Sequence, residues 1–179
     1  MILKVINHQL QFDMKNICTL FFPYEKIKTE GSEDIVVITE KSEDVLAVDA
    51  KVYDKHLKKT HKMAESEDMA VAMSVLLYSV LSELMGYKPP WGILFGVRPA
   101  KLMHRLCGEM GREEAKHYFL NSFLAKKDKT ELTLEVMKHE NEVIALSGKN
   151  SFSLYVSIPF CPTRCSYCSF VSHSIERTQ

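Results

Sequence analysis

The apolar positions change their period along the chain. Up to about residue 62 they come in short runs, at 3–7, 17–22, 35–39 and 45–52, separated by Pro23, Gly31-Ser32 and Lys41-Ser42-Glu43-Asp44. Short β-branched runs between such punctuation predict strands. Ile35-Val36-Val37-Ile38 is continuously apolar, which predicts a strand buried on both faces. From Ser66 the period becomes helical: Met69, Met73, Leu76, Leu77, Val80, Leu81 and Leu84 recur on one face. Ser66 is placed to cap this helix, Glu67 and Asp68 suit its positive end, and Gly86 stops it. Strands followed by one long amphipathic helix predict an α+β unit over residues 1–90, a small antiparallel sheet with a packed helix.

Residues 91–150 predict a helical bridge. Tyr87-Lys88-Pro89-Pro90-Trp91-Gly92 is a stiff connector ending in the single tryptophan, and Pro99 opens a helix through Leu102, Met103 and Leu106 to Cys107. Gly111-Arg112-Glu113-Glu114 starts another, with Ala115, Tyr118, Phe119 and Phe123 facing a core. Asp128-Lys129-Thr130-Glu131 resembles a capping box ahead of a third, with Leu134, Met137, Val143, Ile144 and Leu146 along it and Gly148-Lys149-Asn150 at its end. The run Ser153-Leu154-Tyr155-Val156-Ser157-Ile158 then predicts a strand stopped by Pro159.

Charge narrows the function classes. Lys+Arg and Asp+Glu number 23 each, so the net charge is zero and no bulk attraction to nucleic acid or an anionic membrane is expected. The N-terminus lacks the pattern of a signal peptide, and the apolar stretch 69–82 is shorter than the roughly 20 residues a bilayer needs. A soluble cytoplasmic protein is the expectation. Arg98, Lys101 and Arg105 share one helical face. That face is either solvated or a site for carboxylates, phosphate or RNA, and one such face on a neutral chain is weak support for nucleic acid.

Candidate chemistry gathers late in the chain. Of five cysteines, Cys18 and Cys107 lie in apolar runs and read as inert buried thiols. Cys161, Cys165 and Cys168 stand at i, i+4 and i+7 on a loop after the predicted strand, next to Pro159 and Pro162. Thiolates are soft ligands that suit iron–sulfur clusters and zinc. Three thiolates would leave one iron of a four-iron cluster open to bind a small molecule. A zinc knuckle would add His173 as the fourth ligand, although the spacing is not the usual paired kind.

Cys-x-x-x-Cys-x-x-Cys with Tyr167 before the last cysteine resembles the signature of radical S-adenosylmethionine enzymes. Ile158-Pro159-Phe160-Cys161-Pro162-Thr163-Arg164-Cys165-Ser166-Tyr167-Cys168-Ser169-Phe170 resembles one branch, the oxygen-independent coproporphyrinogen III dehydrogenases. Trp91-Gly92-Ile93-Leu94-Phe95-Gly96-Val97-Arg98-Pro99-Ala100-Lys101-Leu102 resembles the Hem Z type of that branch. The likeness is strong at the cysteine loop, fair around Trp91 and loose before Lys62.

The resemblance implies that residues 151–179 begin a radical-enzyme (β/α) barrel, with its first strand and cluster loop. It implies a 4Fe-4S cluster on Cys161, Cys165 and Cys168, with S-adenosylmethionine at the open iron. Tyr155, Tyr167 and Phe170 become cofactor contacts: Tyr167 lies against the adenine or simply packs, and Phe170, with Phe160, shields the cluster from water. Arg164 either offsets thiolate charge or faces solvent. The implied reaction is heme biosynthetic: a 5′-deoxyadenosyl radical takes hydrogen from a propionate of coproporphyrinogen III, and loss of carbon dioxide and an electron leaves a vinyl group. The cofactors carry this chemistry, so no catalytic side chain is assigned. The implied partners are coproporphyrinogen III and a reducing protein such as flavodoxin or ferredoxin.

Two departures qualify the resemblance. The best-defined bacterial members have a further cysteine two places after the third, where this chain has Phe170. Cys-Ser-Phe is similar to relatives that include heme chaperones, which keeps heme trafficking open as an alternative. The family's glycine-rich segment for the methionine moiety is not found before Gln179. The expectation is therefore the front part of a longer enzyme, inactive alone. An RNA- or partner-binding role for the N-terminal unit is the remaining alternative.

Overall fold

The computed structural model describes residues 1–163, 165, 173 and 174, in two compact units, 1–142 and 143–179. The first unit is α+β. Its sheet runs in the order β1 (Ile2–Ile6), β2 (Ile35–Ser42), β3 (Val45–Val52), β4 (Lys55–Lys62). Both hairpins turn on two residues, with left-handed backbone at Glu43 (φ 53°) and Tyr53 (φ 55°). That hand of turn matches the twist of paired strands.

The sheet is mixed rather than wholly antiparallel, because β1 pairs parallel with β2, from Ile2 opposite Val36 to Ile6 opposite Glu40. A parallel pair needs a crossover. Here it is helix α1 (Gln11–Phe21), which overturns the strand expected at 17–22. Met14, Ile17, Cys18 and Phe21 are its buried residues, at helical spacing, and the β-branched run at its end misled the local reading. β4 was not foreseen either. Lys-His-Leu-Lys-Lys-Thr-His-Lys has only Leu57 as a large apolar residue, and it is a strand because β3 offers it a ladder. Its lysines also mark it as an outer strand, since charge blunts an exposed edge.

Burial alternates along β2 and β3. Ile35, Val37 and Thr39 point into the core with Leu46, Val48, Ala50 and Val52, whereas Val36 and Ile38 are half-buried, so β2 is covered on one face and not on both. The covering layer is α1 with α2 (Met69–Met85). Asp68, not Ser66, caps α2, its carboxylate accepting from Ala70 N (2.8 Å) and Val71 N (3.2 Å). Gly86 ends the helix at φ 64°, as expected. Met73, Leu77, Val80 and Leu81 are fully buried, and Phe21 meets Tyr78 edge-on at 5.6 Å between centroids.

Helices α3 (Pro99–Met110), α4 (Arg112–Asn121) and α5 (Lys127–Ala145) follow. Met103, Leu106, Ala115, Phe119, Leu134 and Met137 form a second, smaller core. Asp128 lies within the first turn of α5, where Thr130 bonds back to the Lys126 carbonyl through both N–H (2.9 Å) and hydroxyl (3.1 Å), so the capping box does not form. Val143, Ile144 and Leu146, expected on an apolar stripe, are exposed.

In the second unit, residues 153–158 form no strand. They lack a ladder partner among the described residues, and extended backbone is held only by pairing. The only strands described there are β5 (Phe160–Cys161) and β6 (His173–Ser174), paired parallel.

Candidate functional site

Two stretches carry the chemistry read from the sequence: the Trp91 segment and the cysteine loop. The Trp91 segment is a clasp. Tyr78 on α2 donates its hydroxyl to the Pro89 carbonyl (2.8 Å), a buried bond. Beyond the prolines, Ile93 N–H donates to Phe123 O (2.9 Å) and Lys126 N–H to Pro90 O (2.9 Å). Ile93 belongs to the first core, Leu94 packs against the second and Phe123 packs against both. Gly92, at φ 60°, allows this approach, because a β-carbon there would stand 1.9 Å from the Phe123 carbonyl oxygen. Lys129 Nζ sits 6.0 Å from the Trp91 ring centroid.

Just beyond, Arg98, Lys101 and Arg105 are exposed along α3, around a shallow groove of about 520 Å³ with Val97, Leu102 and His104. Arg105 lies 3.8 Å from Glu109. Neither Arg98 nor Lys101 makes a side-chain hydrogen bond or ion pair among the described residues, so bonding of Arg98 to the preceding loop is not seen.

At the cysteine loop, Cys161 is half-buried on β5 and Cys165 exposed, both as free thiols. β6 lies beside Cys161: His173 N–H donates to Pro159 O (2.7 Å), and the His173 ring stands 6.1 Å from that of Phe160. Tyr155 is 78% exposed on irregular backbone. Cys168, Tyr167, Phe170 and Arg164 lie outside the described residues. Among the described residues no three His, Cys, Asp or Glu side chains converge at metal distance. Cys161 and Cys165 present two accessible soft donors four residues apart, of the type a thiolate-ligated centre draws on. Cys18 is different: burial pushes its thiol up to about 12. Burial also raises the Cys107 thiol, with the nearby Arg112 charge acting against it.

The sequence reading missed the Gly92 approach, although Pro-Pro-Trp-Gly signals a tight turn. No helix among the described residues is long and apolar enough to cross a membrane.

No protein-family model and no solved structure matches the chain. A curated protein does: the "Oxygen-independent coproporphyrinogen-III oxidase-like protein HemZ" of Bacillus subtilis (strain 168) is 28% identical over 184 residues, covering 94% of this chain. The chain spans 37% of the length of that relative. The resemblance to the Hem Z type of the oxygen-independent coproporphyrinogen III dehydrogenase family, in its N-terminal part, is thereby borne out.

Proposed function

We propose that the chain is the N-terminal part of a radical S-adenosylmethionine enzyme that oxidatively decarboxylates coproporphyrinogen III in heme biosynthesis. The match to the Bacillus subtilis relative along nearly the whole chain, including the region of the three cysteines, supports this reading most. In it, Cys161, Cys165 and Cys168 hold a 4Fe-4S cluster, which would supply the electron that cleaves bound S-adenosylmethionine. Tyr155, Tyr167 and Phe170 contact the cofactors, and a flavodoxin or ferredoxin supplies the reductant. Residues 151–179 would be the start of the barrel, 91–150 the helical link and 1–90 an added domain. Turnover then belongs to a longer protein, and the 179-residue chain alone forms no 5′-deoxyadenosine.

Phe170, in place of a further cysteine, favours a second reading, a heme chaperone with the same cluster loop.

Anaerobic reconstitution of the full-length parent with iron and sulfide, followed by assay with S-adenosylmethionine and coproporphyrinogen III, tests both. Protoporphyrinogen with matching 5′-deoxyadenosine, lost in Cys165→Ala, is the expected result. A cluster that cleaves S-adenosylmethionine without porphyrin product moves the substrate and favours the chaperone. A colourless protein holding zinc, or no metal, sinks both.

A further inference from the structure

One surface of the first unit joins exposed apolar side chains to unpaired cations. Phe12 on α1 is 72% exposed and meets Phe95 edge-on, 6.3 Å between ring centroids. Two residues on, the exposed Val97 lines the groove of about 520 Å³ that Arg98, Lys101 and Leu102 border on α3. Phe95 packs against the first core, and the Ile93 N–H ties the same segment to Phe123 O (2.9 Å). The patch is thus held in place before anything meets it.

Its charges work against the helix that carries them. Arg98 is the N-cap of α3 and makes no side-chain capping bond, Lys101 follows in the first turn, and no acidic residue stands there. Cations are unfavourable at the positive end of a helix. Neither Arg98 nor Lys101 finds an ion-pair partner among the described residues. A local rule broken without compensation nearby is a mark of a functional surface. Aromatic rings and arginine are also the side chains enriched in protein interfaces.

Charge and length select the occupant. A two-fold contact with a second copy would set the patch against itself, cation to cation. Nucleic acid suits neither the apolar centre of the patch nor a neutral chain. A separate protein ordinarily needs about 800 Å² on each side, more than three apolar side chains provide. A covalently tethered partner needs less, because the tether raises its effective concentration. The curated relative has room for one, since the chain spans 37% of its length.

We propose that Phe12, Phe95 and Val97, with Arg98 and Lys101, seat the part of the parent protein that follows residue 179, through an apolar contact flanked by carboxylates of that part. This rests on the reading of the chain as the N-terminal part of a longer protein.

Hydroxyl-radical footprinting, read by peptide mass spectrometry, compares the 179-residue chain with the full-length parent. Oxidation of Phe12 and Val97 should be at least fivefold lower in the parent. Arg98→Glu/Lys101→Glu should return it to the level of the 179-residue chain. The same pair should leave the urea midpoint of that chain unchanged or higher, since both sites are exposed and acids suit the start of a helix. Equal oxidation in the two proteins, protection that survives the charge reversal, or protection that fades as the parent is diluted (a second copy) overturns the proposal. The footprint needs neither cluster nor substrate. A parent that makes protoporphyrinogen but leaves the patch equally oxidised overturns this inference alone, whereas protection in a parent without turnover sustains it and removes only the enzymatic reading.

Discussion

Gly92 and Phe123 come so close that a β-carbon on Gly92 would lie 1.9 Å from the Phe123 carbonyl oxygen. The contact seats the Trp91 segment against the turn between α4 and α5, and it is flanked by the Ile93 N–H bond to the same oxygen. Within the Trp91 stretch that resembles the Hem Z type, this glycine thus has a packing role.

Gly92→Ala combines a left-handed backbone angle with a steric clash, and should destabilise the chain by about 2–4 kcal/mol. Gly86 is also left-handed, at φ 64°, but has open space around it, so Gly86→Ala should cost only about 1 kcal/mol. Urea unfolding midpoints compare the two. Equal losses would mean that the close approach is not rigid.

Tyr78→Phe keeps the edge-on contact with Phe21 and removes the buried bond to the Pro89 carbonyl. The carbonyl is left without its donor, so a loss of about 1–3 kcal/mol is expected. Thermal unfolding checks it, and an unchanged midpoint would show that the connector is held by other contacts.

Thiol reactivity should divide the cysteines. Cys165 is exposed, whereas Cys18 is fully buried with its thiol pushed up to about 12. Brief iodoacetamide treatment of the native chain at pH 7.5, read by peptide mass spectrometry, should modify Cys165 and leave Cys18 intact until the protein is unfolded. Early labelling of Cys18 would contradict the placement of α1.

His8 supplies a pH dependence. Burial holds its pKa below the ordinary 6.5, with a hydrogen bond to the Thr39 backbone opposing the shift. The unfolded chain therefore takes the proton more readily than the folded one. This contribution to stability is complete above about pH 6.5 and is lost as pH falls through the lower folded value. His8→Gln should narrow the difference in urea midpoint between pH 7.5 and pH 5. A difference unchanged by the substitution would assign that pH response to other groups.

Legibility followed the range of the interactions. α2 and α3 were readable because their apolar periods and the flanking Gly86 and Pro99 are local to each helix, and the hairpin strands β2 and β3 because their β-branched runs are bounded by turn residues. Residues 17–22 were misread because Ile17, Thr19, Phe21 and Phe22 suit a strand locally. The helical face that decides the matter includes Met14 and Cys18 as well. The candidate ligands Cys161 and Cys165 were legible as a pattern of soft donors. Their environment was not, since β6 comes from farther along the chain.

The amino-acid sequence by itself determined the element types with self-contained periods, the neutral charge, and the thiol spacing on which the family resemblance rests. Only the tertiary structure decided that β1 runs parallel to β2, that the lysine-rich stretch Lys55–Lys62 is a strand, and that Gly92 meets Phe123. In each of these the deciding partner lies on another segment of the chain. Backbone hydrogen bonding and exclusion of water depend on which segments meet in space, and no local pattern of residues contains that information.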